Sequence, residues 1–490
     1  MSHIIAIDAG TTSVRAVAFD HENKKIDEVK SIQLKQYYPK PSYVEESPSE
    51  IYSAALASLI ETIDKIGVKN VDGISITNQR ETVVAWEKSS GKPLYNAIVW
   101  QCRRTEDYCE RVEKEYGEEI RQKTGLKVDA YFSASKMRWL LDNSDEVKNA
   151  ASRGDLCFGT VETFLIFKLT DGKTFVTDYT NASRTMLFNV RTLCWDEDLL
   201  NYFGIKREFL ADVVSPDSIA GEFSFGGKNI PIAGLAGDQQ AAAVGQGCFG
   251  FGSLKITYGT GLFMLKNAGE KFLLAPGGLL TTLGYGGEKP VYLIEGSVFN
   301  AGSAVQWLRD GLEFFEYSWQ SEKLATSVKS SDGVYVVPAF TGLGAPYWNG
   351  EARGLITGIT RGTTKAHITR ATLESMAYSA RDLFDIIEKT GEYPCSVVKV
   401  DGGASQNNFL MKFQAEMLGV KVCRPQNFES TALGAAYLGM IALKIADKNE
   451  IARLAKTAKT FYPSKSSEIK AEYERLYEGW KRAVKKCLAD

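Results

Sequence analysis

Ile4-Ile5-Ala6-Ile7-Asp8-Ala9-Gly10-Thr11-Thr12-Ser13, running on into the apolar stretch Val14 to Phe19, decides how this chain is read. An apolar run, a tight Gly/Thr turn and a second apolar run spell strand, turn, strand. The same phrase returns midway, where Leu254-Lys255-Ile256-Thr257 leads into Tyr258-Gly259-Thr260-Gly261 and on to Leu262-Phe263-Met264-Leu265. Glycine lets a backbone approach a phosphate closely, and threonine adds a hydroxyl donor. Two such turns, one in each half of a duplicated chain, suggest a pair of jaws on a nucleotide's phosphates. Asp8, just ahead of the first turn, suits the Mg²⁺ that rides on those phosphates.

The organisation around the two hairpins supports the duplication. After the hairpin at 3–20 and the polar Tyr38-Pro39-Lys40-Pro41, Ile51, Ala54, Ala55, Leu59 and Ile60 fall at helical spacing, predicting a helix over 48–65. Val71 to Ile76 reads as a strand delivering Thr77-Asn78-Gln79-Arg80-Glu81-Thr82, and Lys136 to Leu141 as a helix. Residues 232–238 read as a strand reaching a site, followed by helix Gln239 to Val244. In the second half, Ser396 to Val400 is a strand ending in Asp401-Gly402-Gly403-Ala404, with a helix over 405–418 and then Ser430 to Ala436. Residues 467–489 form an amphipathic helix with Ile469, Tyr473, Leu476, Trp480, Ala483, Val484 and Cys487 on one face. The expected division is a first domain over 1–245, a second over 246–440, and a helical extension over 441–490 packed on the second. No low-complexity linker separates them, which predicts an extended interface with a cleft.

Bulk composition narrows the function. At 490 residues the chain exceeds one core. A net charge of −2 gives no global field toward nucleic acid or membrane. No apolar run approaches a bilayer span, and Ile4 to Ile7 is too short for a signal h-region. Eight scattered cysteines without a C-x-x-C pair fit reduced thiols in the cytoplasm. With three histidines in all (His3, His21, His367), a histidine metal site or a Ser-His-Asp triad is improbable, so a catalytic base should be a carboxylate.

No G-x-x-x-x-G-K-[ST] exists, which excludes a Walker loop. Gly245-Gln246-Gly247-Cys248-Phe249-Gly250 fits G-x-G-x-x-G, but it follows a helical segment and precedes a strand, the reverse of a dinucleotide fingerprint; it reads as a loop between domains. Gly402-Gly403 follows a strand and opens a helix, which suits a nucleotide packing against backbone. Asp238 has two readings, a helix N-cap or an acid delivered to the domain boundary, and both can hold together. Arg80-Glu81 alone would be a routine solvated pair, and Trp100 alone a core residue.

Taken together, Ile76-Thr-Asn-Gln-Arg-Glu-Thr82, Asn96 to Thr105, Thr177 to Phe188, Gly237-Asp-Gln-Gln-Ala241, Thr257-Tyr-Gly-Thr-Gly261 and Val336 to Trp348 resemble the FGGY carbohydrate kinases, and among them the glycerol kinases. The resemblance runs nearly end to end, and Gln79-Arg80-Glu81-Thr82 is its discriminating part. It implies an α/β fold of two duplicated ribonuclease-H-like domains, of the actin-like ATPase type, with MgATP and polyol in an interdomain cleft. It further implies that Arg80, Glu81, Tyr131, Asp238 and Gln239 hydrogen-bond glycerol while Trp100 and Phe263 wall its carbons. Thr11, Thr12, Ser13, Arg15 and Thr260 would meet the phosphates. Gly302, Gln306, Gly403 and Asn407 would hold the nucleoside, Asp238 would be the base, and Asp8 with Asp238 would reach Mg²⁺ through water. A homo-oligomer, a dimer foremost, is the implied assembly. Ala9 and Glu162 depart from residues common in the family. The short stretch 225–230 lacks the longer Gly/Arg loop with which some members bind a sugar bisphosphate. Two other readings stay open: a kinase for another small polyol or ketose, and an actin-like ATPase acting on a protein partner.

Overall fold

The computed structural model of the chain describes residues 2–389 and 394–489. Both predicted hairpins form. In the first half, β1 (His3–Ala9), β2 (Ser13–Asp20) and β3 (Lys25–Gln33) are antiparallel neighbours. On the other side of β1, β4 (Val71–Asn78) and β6 (Lys228–Gly237) add parallel, and β5 (Ile219–Phe225) closes the edge, giving the order β5-β6-β4-β1-β2-β3.

The second half repeats this. Its sheet holds β7 (Leu254–Tyr258), β8 (Leu262–Asn267), β9 (Leu280–Gly284), β10 (Val291–Val298), β11 (Val397–Asp401), β12 (Lys421–Pro425) and β13 (Thr457–Phe461) in the order β9-β10-β8-β7-β11-β12-β13. The hairpin β7/β8 is antiparallel and β11 runs parallel to β7, as β4 does to β1. Five strands of each sheet therefore share one arrangement, and the duplicated ribonuclease-H-like expectation holds. The central strands β1 and β7 are buried throughout, as parallel-sheet strands covered on both faces must be.

Helices cover the sheets. α1 (Pro48–Ile66) starts at Ser47, whose hydroxyl accepts from the Glu50 amide, and lays Ile51, Ala55, Leu59 and Ile63 on the first sheet. α2 (Asp238–Gly245) follows β6 directly. α3 (Lys365–Glu388), α4 (Asn408–Leu418), α5 (Ser430–Ala442) and α6 (Ser467–Cys487) belong by sequence to the second half. The helix expected over 405–418 is split: Gly403–Gln406 is a single tight turn, and Asn407 caps α4 by accepting from the Leu410 amide.

Two features redraw the expected boundaries. α5 packs Ala432, Ala435, Ala436 and Tyr437 against Ile4, Ala6, Val17 and Phe19 of the first sheet, so it crosses to the other half. The segment 441–490 is not wholly helical, because β13 extends the second sheet before α6 buries Tyr477, Trp480, Ala483 and Val484 in that half's core. β5 and β6 turn through Gly226 (φ 56°) and Gly227 (φ 78°), the paired left-handed conformations of a two-residue hairpin, so 225–230 is a tight turn. Among the described residues no helix is long and apolar enough to cross a membrane.

Candidate active site

The C-terminal ends of β1, β4, β6, β7 and β11 converge on one cleft. A cavity of about 350 Å³ is lined there by Asp8, Thr11, Thr12, Arg15, Arg80, Glu81, Trp100, Tyr131, Asp238, Gln239, Thr260, Phe263 and Gly403, all expected, together with Asp401 and Glu429. A second cavity, of about 520 Å³, continues from it past Thr12, Gly259, Thr260 and Gly403 to Gly302, Gln306 and Asn407. Ser13 lines neither; its carbonyl accepts from the Gly10 amide at 3.0 Å and so closes the turn.

At the inner end charge is dense. Arg80 sits where β4 ends, wholly buried, and its fork closes on Glu295, which accepts at 2.7 and 2.8 Å. Its Nε faces Asp238 Oδ1 at 3.4 Å and Glu81 Oε1 at 3.7 Å. Arg184 donates to Glu81 at 2.6 Å and to the same Glu295 at 3.0 Å. Burial pushes the Glu295 carboxyl up, but Arg184 and Arg80 outweigh it and hold the group down at about 2. Glu295 and Arg184 escaped the sequence reading. The signal for Glu295 was a charge set inside the apolar strand Val291–Val298, which is costly to bury unless paired; Arg184, between Ser183 and Thr185, carried no such signal.

Glu81 adopts φ 61°, a left-handed conformation uncommon outside glycine. Ser133 and Lys136 donate to its carbonyl at 3.3 and 3.2 Å, and Arg184 fixes its carboxylate. These contacts hold Glu81 in a strained backbone conformation at the cleft.

Asp238 opens α2, but the N-cap is Gly237, so the capping role is not its own. A side chain at Gly237 would put Cβ 2.6 Å from Arg80 Cγ, so glycine lets the arginine pass. The Asp238 carboxylate keeps 30% exposure to the cleft while protein surrounds its other sides. Burial pushes its pKa up to about 6, Glu81 and Asp8 add to the rise, and Arg80 and Lys255 oppose it. Lys255, the second residue of β7, donates to Gln239 Oε1 at 2.6 Å and to Thr257 Oγ1 at 2.7 Å. Gln239 is thereby oriented with its NH₂ as the remaining donor. Burial brings Lys255 down to about 8, against the pull of Asp401 and Asp238. Asp401 is buried with no close hydrogen-bond partner for either oxygen, facing Thr257, Gln246 and Ser430.

The apolar walls are aromatic. Trp100 meets Phe263 and Tyr131 edge-on at 6.0 and 5.8 Å, and the Arg80 guanidinium lies 5.8 Å from the Phe263 ring. Trp100 Nε1 donates to Thr11 Oγ1 at 3.0 Å, tying this wall to the first turn. Tyr131 OH accepts from Arg80 at 3.3 Å, which leaves its own proton for a ligand. Arg15, expected on phosphates, is shared between Asp8 and Glu429, the latter at 2.5 Å. It orders two acids at the mouth of the cavity.

The family model for the FGGY family of carbohydrate kinases, N-terminal domain, matches residues 3–245, and that for the C-terminal domain matches 254–443. The chain belongs to the FGGY family of carbohydrate kinases. Curated FGGY relatives match over the full length: glycerol kinase 2 of Thermotoga maritima is 50% identical over 100% of this chain and 99% of its own, and glycerol kinase of Bacillus subtilis 49% identical over 100% and 99%. Among solved structures, glycerol kinase of Plasmodium falciparum with ADP superposes with a TM-score of 0.88 at 36% identity, covering 100% of this chain and 98% of that one. Xylulose kinase of Lactobacillus acidophilus, at 23% identity and a TM-score of 0.86 over 100% and 99%, shares the fold. The fold is thus the two-domain, actin-like ATPase type of the FGGY kinases.

Proposed function

We propose that this FGGY kinase transfers the γ-phosphoryl group of ATP to glycerol, giving ADP and sn-glycerol 3-phosphate. The observation that carries the reading is the convergence of Arg80, Glu81 and Asp238 with the Trp100 and Phe263 walls in the cavity that also holds both Gly/Thr turns. Full-length identity of 49–50% to glycerol kinases supports the choice of polyol. An ATPase acting on a protein would have no use for this closed polar cage.

In this reading glycerol lies with its carbons between Trp100 and Phe263. Its hydroxyls face Arg80, Glu81, Tyr131 and the Gln239 amide. Asp238 accepts the proton of the terminal hydroxyl as that oxygen bonds to the γ-phosphorus and the bond to the β-γ bridging oxygen breaks. A base near pKa 6 is matched to neutral pH. Thr11, Thr12 and Thr260 receive the phosphates, and Gly302, Gln306, Gly403 and Asn407 the nucleoside. Residues 1–245 accordingly supply most of the polyol and phosphate contacts and 246–440 the nucleotide contacts, with 441–490 bracing the second sheet.

The buried Asp401, unpartnered, and Asp8 beside the turn fit a hydrated divalent cation. Asp8 and Asp238 would hold Mg²⁺ through water, and the ion would neutralise charge on the phosphate oxygens. Eight free thiols support a cytoplasmic setting. The proposed assembly is a homo-oligomer, a dimer first, which light scattering checks.

ADP release in a coupled assay, across glycerol, dihydroxyacetone and pentuloses with a no-substrate control, tests the function. Glycerol is expected to give the highest kcat/KM. A pentulose optimum makes the enzyme a ketose kinase, and release independent of small substrate makes it an ATPase.

A further inference from the structure

We propose that Trp319 is the stacking platform for the nucleobase, a role that rests on the nucleotide reading of the larger cavity. That cavity begins at the two phosphate turns and ends at Ser318, Trp319, Ser321 and Glu322. A nucleotide with its phosphates at Thr12 and Thr260 and its sugar beside Gly403 directs its base to that end.

Several polar groups there are already committed. Ser321 Oγ donates to the Ser318 carbonyl at 2.6 Å, and Arg309 donates to Ser318 Oγ at 3.1 Å. The Glu322 carboxylate accepts from the Asn408 amide and side chain at 3.0 and 3.3 Å. Asn407 Oδ1 accepts from the Leu410 amide at 2.9 Å. Beside Gln306 and the Asn407 side-chain amide, this end offers a base a flat apolar face, and the indole of Trp319 supplies it.

The indole is 70% exposed, an unusual amount of aromatic surface to leave in water at a cavity's rim. It does not hang loose. The Tyr317 ring lies nearly parallel to it, 13° apart with centroids 6.4 Å distant. The loop beneath is pinned, because the Glu316 and Tyr317 amides both donate to Gln320 Oε1 at 2.9 Å. A platform held before binding costs little ordering entropy when a base covers it. Trp319 sits outside every stretch that the sequence reading assigned to a site.

The test uses the full chain with Trp319→Ala and Trp319→Phe. Base–aromatic stacking removed by alanine is expected to raise KM for ATP and Kd for ADP by about fivefold to a hundredfold. The effect should fall on KM for ATP and spare KM for glycerol, and phenylalanine should restore most of it. Inorganic tripolyphosphate with Mg²⁺, which has no base, should inhibit the parent and both variants equally. Unchanged ATP kinetics in Trp319→Ala overturn the proposal, and the exposed pair is then a surface for something other than the nucleotide. Tripolyphosphate inhibition weakened in parallel with ATP also overturns it, since the loop would then act on the whole cleft. If the parent neither binds ADP nor uses ATP, the nucleotide reading itself falls, and the failure shows before any substitution is made.

Discussion

The two Gly/Thr turns are alike in sequence and differ in what holds them. At the first, the Thr11 hydroxyl is engaged by Trp100 and the following arginine, Arg15, by Asp8 and Glu429. Both turns have backbone anchors, but the second has backbone anchors alone among the described residues: the Gly302 amide donates to the Gly259 carbonyl at 3.0 Å, and Ala301 and Ser303 donate to the Thr260 carbonyl at 2.9 and 3.2 Å. A side chain at Gly302 would place Cβ 2.4 Å from that Gly259 oxygen, so only glycine allows the approach. The Thr260 hydroxyl is left without a partner among the described residues. One turn is therefore wired to the Trp100 wall of the first cavity and the other to the Ala301–Ser303 segment beside the second. Duplication supplied two equal turns, and their surroundings gave them different work.

The comparison breaks hardest at Asp238, which shares the cavity with both turns and in the proposed reaction meets both substrates. Asp238→Asn keeps the shape and removes the base, so kcat should fall about 10²- to 10⁴-fold while KM for glycerol changes little. Near-normal turnover would remove Asp238 from the reaction.

Next comes the buried network behind the cage. Glu295→Ala leaves Arg80 and Arg184 without their shared carboxylate, and breaking such a pair costs about 3–5 kcal/mol. Urea unfolding should show that loss, with glycerol use failing alongside it. A variant of parental stability would mean that the two guanidinium groups find other partners.

The turns themselves give the sharpest contrast. Thr11→Val strips the Trp100 indole of its acceptor and should cost about 1–3 kcal/mol, read as a raised KM for glycerol as well as for ATP. Thr260→Val loses one free hydroxyl, about 0.5–1.5 kcal/mol, read in ATP alone. Equal effects of both variants on glycerol would erase the distinction between the turns.

The smallest effect is in pH. Asp238 must be ionised to accept a proton, and its pKa is raised to about 6. The kcat/KM for glycerol should therefore rise with pH, reach half its plateau near that value and fall tenfold per unit below it. A plateau extending well into the acid range would mean that the carboxylate is better solvated or better paired than its surroundings indicate.

The pattern of residues by itself determined both hairpins and the strands leading to Arg80, Asp238 and Asp401, while most of the other cleft residues were named only through the resemblance to the FGGY kinases. These are local facts: apolar runs set strands, Gly/Thr sets turns, and residues at strand ends must face the same edge of a sheet. Tertiary structure decided the rest. Asp238 could be a cap or an acid until Gly237 was seen to take the N-cap position. Arg80 and Glu81 are adjacent in sequence, yet the partner that organises Arg80 is Glu295, 215 residues away. Arg15, which the resemblance set on phosphate, is held by Asp8 and by Glu429, the latter 414 residues on. α5 lies with the second half in sequence and with the first half in space. Pairings of this kind follow from which faces of two sheets meet across a cleft, and no spacing along one strand or helix encodes them. They are fixed only when burial forces each charge to find its counter-charge.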